Sequence, residues 1–363
     1  MKQVVLVGGM DYDFKGVDFR VFCDNRMKRL KNANTKKEDL TFTILDVRRG
    51  EQETHEITFA GGKPTTKVTK VTPAPFSTLS KANYDKVVSG SETHFNFKNG
   101  QRGMMSAPHL YSVIQKIGKD NPSTLVEFSI FSHGWMGGPI LVNSYDDGVF
   151  TISVPPAPPV SFALPSASRD PDDCDPRAPK DFSPPTMDAA ALTDFQNAFH
   201  TDGFIWIWGC GFPRLVHEML HKIERNSAYK DSGLGDDVLF KITNFEAAHA
   251  DLLESYLSPA LGGPLPDKKN IELKFKFLKH FFCLITTASY SQQLATAANR
   301  KVFAALMGTY SDYDTGVLPL MSIEKGFAKH FTFYKNYLGF GFDPEGRHYG
   351  AYLPGRTCAA PSP

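Results

Sequence analysis

The sequence predicts a three-layer α/β protein with a mostly parallel central sheet. Short runs rich in β-branched and other apolar residues indicate strands that are buried on both faces. These runs lie at 3–9, 40–47, 123–131 and 203–209. Stretches with helical periodicity alternate with them, and that order favours parallel strands covered by helices on both sides. The 363 residues, 41% of them hydrophobic, suit a single domain over 1–363.

The first two helices follow from local patterns between these runs. One helix is expected over about 16–31, between the first two strands. Another is expected to begin after Ser106, a residue type suited to a helix N-cap. Leu110, Ile114 and Ile117 then fall on one face of that helix, as expected of a helix that covers a sheet.

Two further helices are expected on either side of the fourth strand. Leu192, Phe195 and Phe199 recur at helical spacing before the strand. Pro213 follows the strand and is a residue type favoured in the first turn of a helix.

Two insertions interrupt the alternation. The first, at 51–100, contains the turn signals Gly61-Gly62 and Asn99-Gly100 and predicts a hairpin or meander that decorates the sheet. The second, at 143–186, is rich in proline between positions 154 and 185. Because proline has no backbone N–H and restricts φ, we expect this stretch to be a long exposed loop without regular elements.

The C-terminal part, 227–363, is expected to be mainly helical. Helices are predicted near 243–257 and 272–298, and a strand is predicted at 301–308. The apolar run at 275–285 fits either a strand or a helix, because its periodicity is compatible with both.

Net charge and hydropathy argue against a nucleic-acid-binding protein and against a membrane-spanning protein. The net charge of +1 leaves no excess of basic residues typical of nucleic-acid binding. No uninterrupted apolar window reaches the roughly 18 residues of a membrane span. The N-terminal stretch MKQVVLVGGMDYDF is interpreted as the start of a buried strand and not as a signal peptide. We therefore expect a cytoplasmic protein, or one exported without a cleavable signal peptide.

The cysteines predict free thiols. They are odd in number, widely scattered, and show no CxxC or other metal-binding spacing: Cys23, Cys174, Cys210, Cys283 and Cys358. This usage favours a reducing compartment over a disulfide scaffold.

Two of the predicted strands end in a reactive side chain beside glycine. His133 follows the third strand in FSHGWMGGPIL at 131–141, and Cys210 follows the fourth in FIWIWGCGF at 204–212. The carboxyl ends of parallel strands meet at one edge of a sheet, and neighbouring strands lie about 5 Å apart. We therefore expect the imidazole and the thiol to lie close together.

This pair of residue types suits nucleophilic catalysis. The thiolate is the attacking species, and an adjacent imidazole promotes its formation, so Cys210 is the candidate nucleophile and His133 the candidate base. The backbone N–H groups of Gly134 and Cys210 can form an oxyanion hole. Gly209 and Gly211 leave room around the sulfur.

In order, strand context and small-residue placement, the two segments resemble the cysteine peptidase clan that includes caspases, legumain, gingipains and clostripain. The resemblance implies a caspase-like fold and a cysteine endopeptidase that acts on peptides or proteins without a cofactor. It implies that His133 is the general base and acid and that Cys210 is the nucleophile. The sequence departs from the pattern at Gly209, where Ala is commoner, and lacks the QAC signature of caspases. The resemblance is therefore to the clan and not to a subfamily.

The same fold suggests which residues contact a substrate. Trp135 lies two positions after His133, and Thr309 and Tyr310 follow the strand predicted at 301–308. All three are expected to border the substrate pocket.

A second motif supports a rival hypothesis. His217 and His221 belong to HEMLH, a formal HExxH, which on a helix can bind zinc with the glutamate as general base. Glu246, His249 and Glu254 are candidates for a third ligand. However, the helical wheel puts both motif histidines opposite the apolar stripe, where they are expected to face water. A zinc hydrolase therefore stays an alternative, as does a non-catalytic interaction protein on the same scaffold.

Overall fold

The structure of the chain is a computed structural model. It describes residues 1–10, 17–71, 84–89, 92–97, 107–141, 149–152, 160–163, 182, 187–314 and 316–361. The helices are α1 (Phe19–Ala33), α2 (Ala107–Asp120), α3 (Ala189–Ala198), α4 (Arg214–Glu224), α5 (Ala247–Leu261), α6 (Phe275–Thr287), α7 (Tyr290–Ala298) and α8 (Ala328–Leu338). A short 3₁₀ helix, Lys325–Phe327, precedes α8.

The strands, in chain order, are β1 (Lys2–Gly8), β2 (Leu40–Asp46), β3 (Glu51–Ala60), β4 (Lys63–Val71), β5 (Tyr84–Ser89), β6 (Glu92–Phe97), β7 (Leu125–Phe131), β8 (His133–Trp135), β9 (Gly138–Ile140), β10 (Val149–Ile152), β11 (Val160–Ala163), β12 (Phe199–Ile207), β13 (Leu239–Ile242), β14 (Ile271–Lys274), β15 (Val302–Ala304), β16 (Ser311–Tyr313), β17 (Met321–Ile323), β18 (Gly341–Phe342) and β19 (Gly350–Tyr352).

A central nine-stranded sheet organises the fold, in the order β18-β19-β15-β12-β7-β1-β2-β3-β4. The middle strands, from β15 to β2, pair in parallel. Antiparallel pairs extend the sheet at both edges, β3–β4 at one and β18–β19 at the other. The predicted α/β class with a large, mostly parallel central sheet is confirmed.

The crossovers place helices on both faces of this sheet. The connection β1–α1–β2 steps towards one edge, whereas β7–α3–β12 steps towards the other. Because such crossovers are right-handed, α1 and α3 lie on opposite faces. Helix α2 packs closely on α3, since a Cβ on Gly118 would collide with the carbonyl group of Asp194. The sheet is therefore the middle of three layers.

Local signals account for the ends of several helices. Asp18 caps α1 by accepting a hydrogen bond from the Arg20 N–H at 3.1 Å, and Asp188 caps α3 in the same way. The undecided run at 275–285 belongs to α6, and its buried faces include Leu278 and Phe281. Phe199, expected in a helix, instead begins β12.

Of the predictions for the two insertions, one is confirmed and one is wrong. The hairpin predicted within 51–100 is confirmed by β3 and β4, which turn at Gly61-Gly62, and β5 and β6 form a second hairpin. The Asn99-Gly100 turn lies outside the described residues. The prediction that 154–185 holds no regular element is wrong, because Val160–Ala163 forms β11 and pairs with β10. Proline excludes a central strand, but it leaves proline-free segments between the prolines free to pair.

A buried ion pair ties α1 to the centre of the sheet. Arg26 donates two hydrogen bonds of 2.8 Å to the carboxylate of Glu127 on β7, and both side chains are buried. The guanidinium lies 5.4 Å from the ring centroid of Trp206 and 5.6 Å from that of Trp208. Burying charge is costly unless it is paired, and the two-pronged contact with flanking rings supplies that pairing.

The expectation of free thiols is wrong for two of the five cysteines. Cys283 on α6 forms a disulfide with Cys358 in the C-terminal segment, 75 positions later. Cys23 and Cys210 are not joined in a disulfide, and Cys174 lies outside the described residues. The disulfide was missed because its partners share no local motif and meet only through the tertiary fold.

Among the described helices, none has both the length and the apolar composition needed to cross a bilayer.

We predict that Glu127→Ala lowers the free energy of unfolding by up to about 3–5 kcal/mol, because the buried Arg26 charge keeps only the half-exposed carboxylate of Glu345, 2.6 Å away, as its partner. Urea denaturation followed by circular dichroism measures this loss. Glu56→Ala is the matched control, since Glu56 pairs with Lys67 at 3.2 Å on the exposed face of the β3–β4 hairpin. The control is expected to cost less than about 1 kcal/mol. Similar losses in both variants would show that the buried pair has no special role.

Candidate active site at the ends of strands β7 and β12

The segments that follow β7 and β12 lie against each other. The two strands pair in parallel, with Ile207 beside Ile130, and the Trp208 N–H donates to the carbonyl of Ile130 at 2.8 Å. The next residues of both strands leave the sheet at the same edge. The predicted adjacency of the two strands is therefore confirmed, and the backbones of His133 and Cys210 are brought to one place.

Glycine makes this contact close. A Cβ on Gly134 would lie 2.5 Å from the Cys210 carbonyl oxygen and 2.8 Å from its nitrogen. A Cβ on Gly209 would lie 3.1 Å from the Cα of Gly134 and from the His133 carbonyl oxygen. Side chains at these two positions would force the segments apart, so both glycines are needed for backbone approach.

The thiol of Cys210 is half-buried and contacts a residue that the sequence did not single out. Ser311, at the start of β16, donates its backbone N–H to Cys210 Sγ at 3.4 Å, and its Oγ lies 3.5 Å from the same sulfur. An N–H donor aimed at sulfur favours the charged form of a thiol. The only sequence signal for Ser311 was its place directly after Thr309 and Tyr310.

The imidazole of His133 is half-buried at the start of β8. Its ring meets the ring of Phe19 edge-on, with centroids 5.3 Å apart. Phe19 is the first residue of α1, the helix that also carries Arg26 of the Arg26–Glu127 pair. The ring of His133 therefore lies beside the start of this helix.

The third predicted glycine has a structural role. The Gly211 N–H donates to the Thr309 carbonyl at 2.8 Å, and the Gly211 carbonyl accepts from the Gly308 N–H at 2.7 Å. These bonds fasten the segment after β12 to the turn after β15. Since its N–H is already used, Gly211 does not offer a donor to an oxyanion in this conformation.

Of the three residues predicted to contact a substrate, Trp135 and Tyr310 are partly exposed and Thr309 is buried. Trp135 stacks on Phe212 with ring centroids 5.3 Å apart, and Tyr310 meets Phe212 at 4.6 Å, so these rings form one partly exposed cluster. Burial raises the pKa of Tyr310 to about 12, with Cys210 among the further causes. Thr309 is fully buried and its hydroxyl donates to the Leu306 carbonyl, so its side chain does not line a surface.

The HExxH helix is not arranged as expected. His217 is half-buried, and its Nδ1 lies 2.9 Å from Nε2 of His330 on α8. His330 in turn contacts the buried carboxylate of Glu224 at 2.7 Å. The expectation that both motif histidines face water is therefore wrong for His217, because α8 covers that side of α4. Burial lowers the pKa of His217, and the neighbouring His330 and His221 lower it further.

Glu246, a candidate for the third zinc ligand, is not grouped with the two histidines of the HExxH motif. Glu246 is grouped with Glu218 and His249, and their ligand atoms lie within 4.8 Å of one another. Within the described part of the chain, His217 and His221 do not join Glu246 in such a group.

Comparison with known proteins finds only weak structural similarity. No family model matches the sequence, and no curated protein matches it. Two similar solved structures are both of a secreted C11 cysteine protease from Bacteroides thetaiotaomicron. The first, in complex with an irreversible peptide inhibitor, is 12% identical, with a TM-score of 0.26 over 72% of this chain and 54% of that chain. The second, called iotapain, is 10% identical, with a TM-score of 0.26 over 95% of this chain and 73% of that chain. The chain thus spans about half the length of the first structure, and at this TM-score the likeness assigns it no activity.

We predict that Gly134→Ala lowers the free energy of unfolding by about 1–3 kcal/mol, because the new methyl group must displace the Cys210 backbone. It should also change the rate at which Cys210 reacts with iodoacetamide. Gly235→Ala is the control, since its methyl group would meet only Val238 Cγ2 at 3.9 Å. Equal stability of the two variants would argue against a tight contact at Gly134.

The depressed pKa of His217 predicts a pH dependence of stability. The unfolded chain takes up this proton near pH 6.5, whereas the folded protein resists it until lower pH. The free energy of unfolding should therefore fall as the pH drops through about 6.5, and His217→Gln should flatten that fall. Urea denaturation over a pH series measures the slope. An unchanged slope in His217→Gln, compared with His200→Gln as control, would contradict the assignment.

Proposed function

We propose that the protein is a cysteine peptidase, or a related thiol hydrolase, that cleaves amide bonds with Cys210 and His133. One observation carries the proposal: the backbones that bear these two side chains are packed together at the carboxyl edge of a parallel sheet. Functional groups of open α/β sheets gather at this edge. The half-burial of both side chains keeps them accessible to a substrate.

The reaction follows from the chemistry of the two groups. His133 accepts the proton of the Cys210 thiol, and the thiolate attacks the amide carbonyl carbon, which forms a C–S bond. The C–N bond then breaks, and the departing amine takes the proton from His133. Water, with its proton passing to His133, cleaves the thioester and releases the acid and the thiol. Thiolate and imidazole supply both nucleophile and proton transfer, so the proposed mechanism needs no metal ion.

Backbone N–H groups and nearby side chains support the transition state in this proposal. The N–H groups of Gly134 and Cys210 are the proposed oxyanion donors, because they lie at the contact between the two segments. Ser311 contacts the sulfur through its N–H and Oγ. Trp135 and Tyr310 are proposed to contact the peptide beside the sulfur, since they flank Phe212.

The disulfide bears on where the protein works. Disulfides persist in oxidising compartments and are rare in a reducing cytoplasm. The Cys283–Cys358 bond therefore favours the exported alternative over the cytoplasmic one.

Selective alkylation tests the proposal. The native protein is treated with a small excess of iodoacetamide, and labelled peptides are quantified by mass spectrometry. Cys210 is expected to react at least about tenfold faster than buried Cys23, because only a partly exposed, activated thiol forms a reactive thiolate. His133→Ala should remove most of this selectivity, whereas His200→Ala, on β12 but at its opposite end, should leave it unchanged.

Hydrolysis completes the test. Cleavage of a mixed peptide library should be lost in Cys210→Ala and reduced by about 10²–10⁴-fold in His133→Ala, the usual range for a general base. Slow labelling at Cys210, equal to that of a simple exposed thiol, together with no cleavage, would leave the non-catalytic interaction protein as the better assignment.

A further inference from the structure

A buried histidine between two carboxylates lies outside the proposed active site. His249, in the first turn of α5, is completely buried, and its ring packs against Phe245 at a centroid distance of 5.4 Å. Its Nε2 lies 3.1 Å from Oε2 of Glu218 on α4. Its Nδ1 is buried and, within the described part of the chain, has no hydrogen-bond partner. A buried nitrogen left unpaired costs free energy, so this atom calls for a ligand.

The second carboxylate faces that unpaired nitrogen. Oε2 of Glu246 lies 3.8 Å from His249 Nδ1, which is too far for a hydrogen bond. Zinc bonds to nitrogen and to carboxylate oxygen are each about 2.0–2.2 Å long, so a zinc ion between two ligand atoms at 3.8 Å reaches both. The gap therefore has the size of a bound cation.

Glu246 is also free for such a role. It is the N-cap residue of α5, yet its side chain makes no capping hydrogen bond. Its side chain is 70% exposed, so water can reach a cation there and complete the coordination. An imidazole combined with a carboxylate suits zinc better than calcium or magnesium, which prefer oxygen ligands alone.

We propose that His249 Nδ1 and the Glu246 carboxylate bind a zinc ion, with Glu218 holding the imidazole. In this proposal Glu218 accepts a hydrogen bond from Nε2–H of His249, which leaves the lone pair of Nδ1 directed at the cation, the usual arrangement around metal-bound histidine. The ligand-capable atoms of all three residues lie within 4.8 Å of one another, so the charge of Glu218 also favours the cation. Arg214 contacts the other Glu218 oxygen at 2.6 Å, but its side chain is largely exposed to water, which weakens its opposition.

This site differs from the zinc site that the HExxH motif suggests. It uses the motif's glutamate in a supporting role and neither of its histidines, because His217 is engaged by His330. It also lies on the α4–α5 contact and not at Cys210. A zinc ion there would join Glu246 to His249 at the start of α5, beside the helix that follows the candidate nucleophile.

Calorimetric titration with zinc chloride tests the proposal. The full chain is used in a Cys210→Ala background, so that the thiol supplies no ligand and the result does not depend on the proposed peptidase activity. One saturable zinc equivalent is expected. Glu218→Gln should weaken it by about 10- to 100-fold, the usual cost of losing the hydrogen-bond partner of a ligand. Glu246→Gln, which removes a ligand carboxylate, should weaken it at least as much. His221→Ala, which removes a histidine of the motif, should leave the affinity unchanged.

A second measurement separates binding from folding. Zinc should raise the midpoint of thermal unfolding of the parent chain, because a ligand of the folded state stabilises it, and should not raise that of Glu246→Gln. Glu246 is exposed, so this variant is expected to fold normally. The absence of a saturable zinc equivalent, or an affinity unchanged by Glu246→Gln, would overturn the proposal. Loss of binding in His221→Ala with retention in Glu246→Gln would place the metal on the HExxH motif and overturn it as well.

Discussion

The parallel register of β7 against β12 is the constraint on which the candidate site depends. It carries the last residues of both strands to the same edge, where Gly134 and Gly209 let the two backbones touch. A slip of one residue in either strand would turn alternate side chains to the opposite face. The candidate site therefore depends on the register of the two strands that lead into it.

Helix α1 keeps that register in place from one face of the sheet. Arg26 reaches Glu127 on β7 and lies over Trp206 and Trp208, the tryptophan pair at the end of β12. The same helix begins with Phe19, whose ring meets His133. One helix thus contacts both strands and the candidate base. Burying this pair of charges costs desolvation free energy. We therefore expect the pair to contribute more to the specificity of packing than to net stability.

Most of the architecture could be predicted because strands buried on both faces have a strong local signature. The hydrophobic runs of β1, β2, β7 and β12 and the spacing of the helices between them sufficed to place the His133 and Cys210 segments. Features that depend on distant partners could not be predicted. Ser311 reaches Cys210 through a turn, His330 covers His217 from another helix, and Cys283 finds Cys358 only in the folded chain. The helical wheel failed at His217 because it describes one helix and carries no information about its neighbours.

The disulfide makes a closed covalent ring of the chain between Cys283 and Cys358. That ring includes β15, the Ser311 segment and α8, and so part of the surroundings of Cys210. A protease that cuts an exposed loop inside the ring, such as the one around Val317, would leave both fragments joined. The nicked and intact forms would migrate together on a denaturing gel until a reducing agent is added. A non-reducing gel would therefore not distinguish the cleaved protein from the intact one.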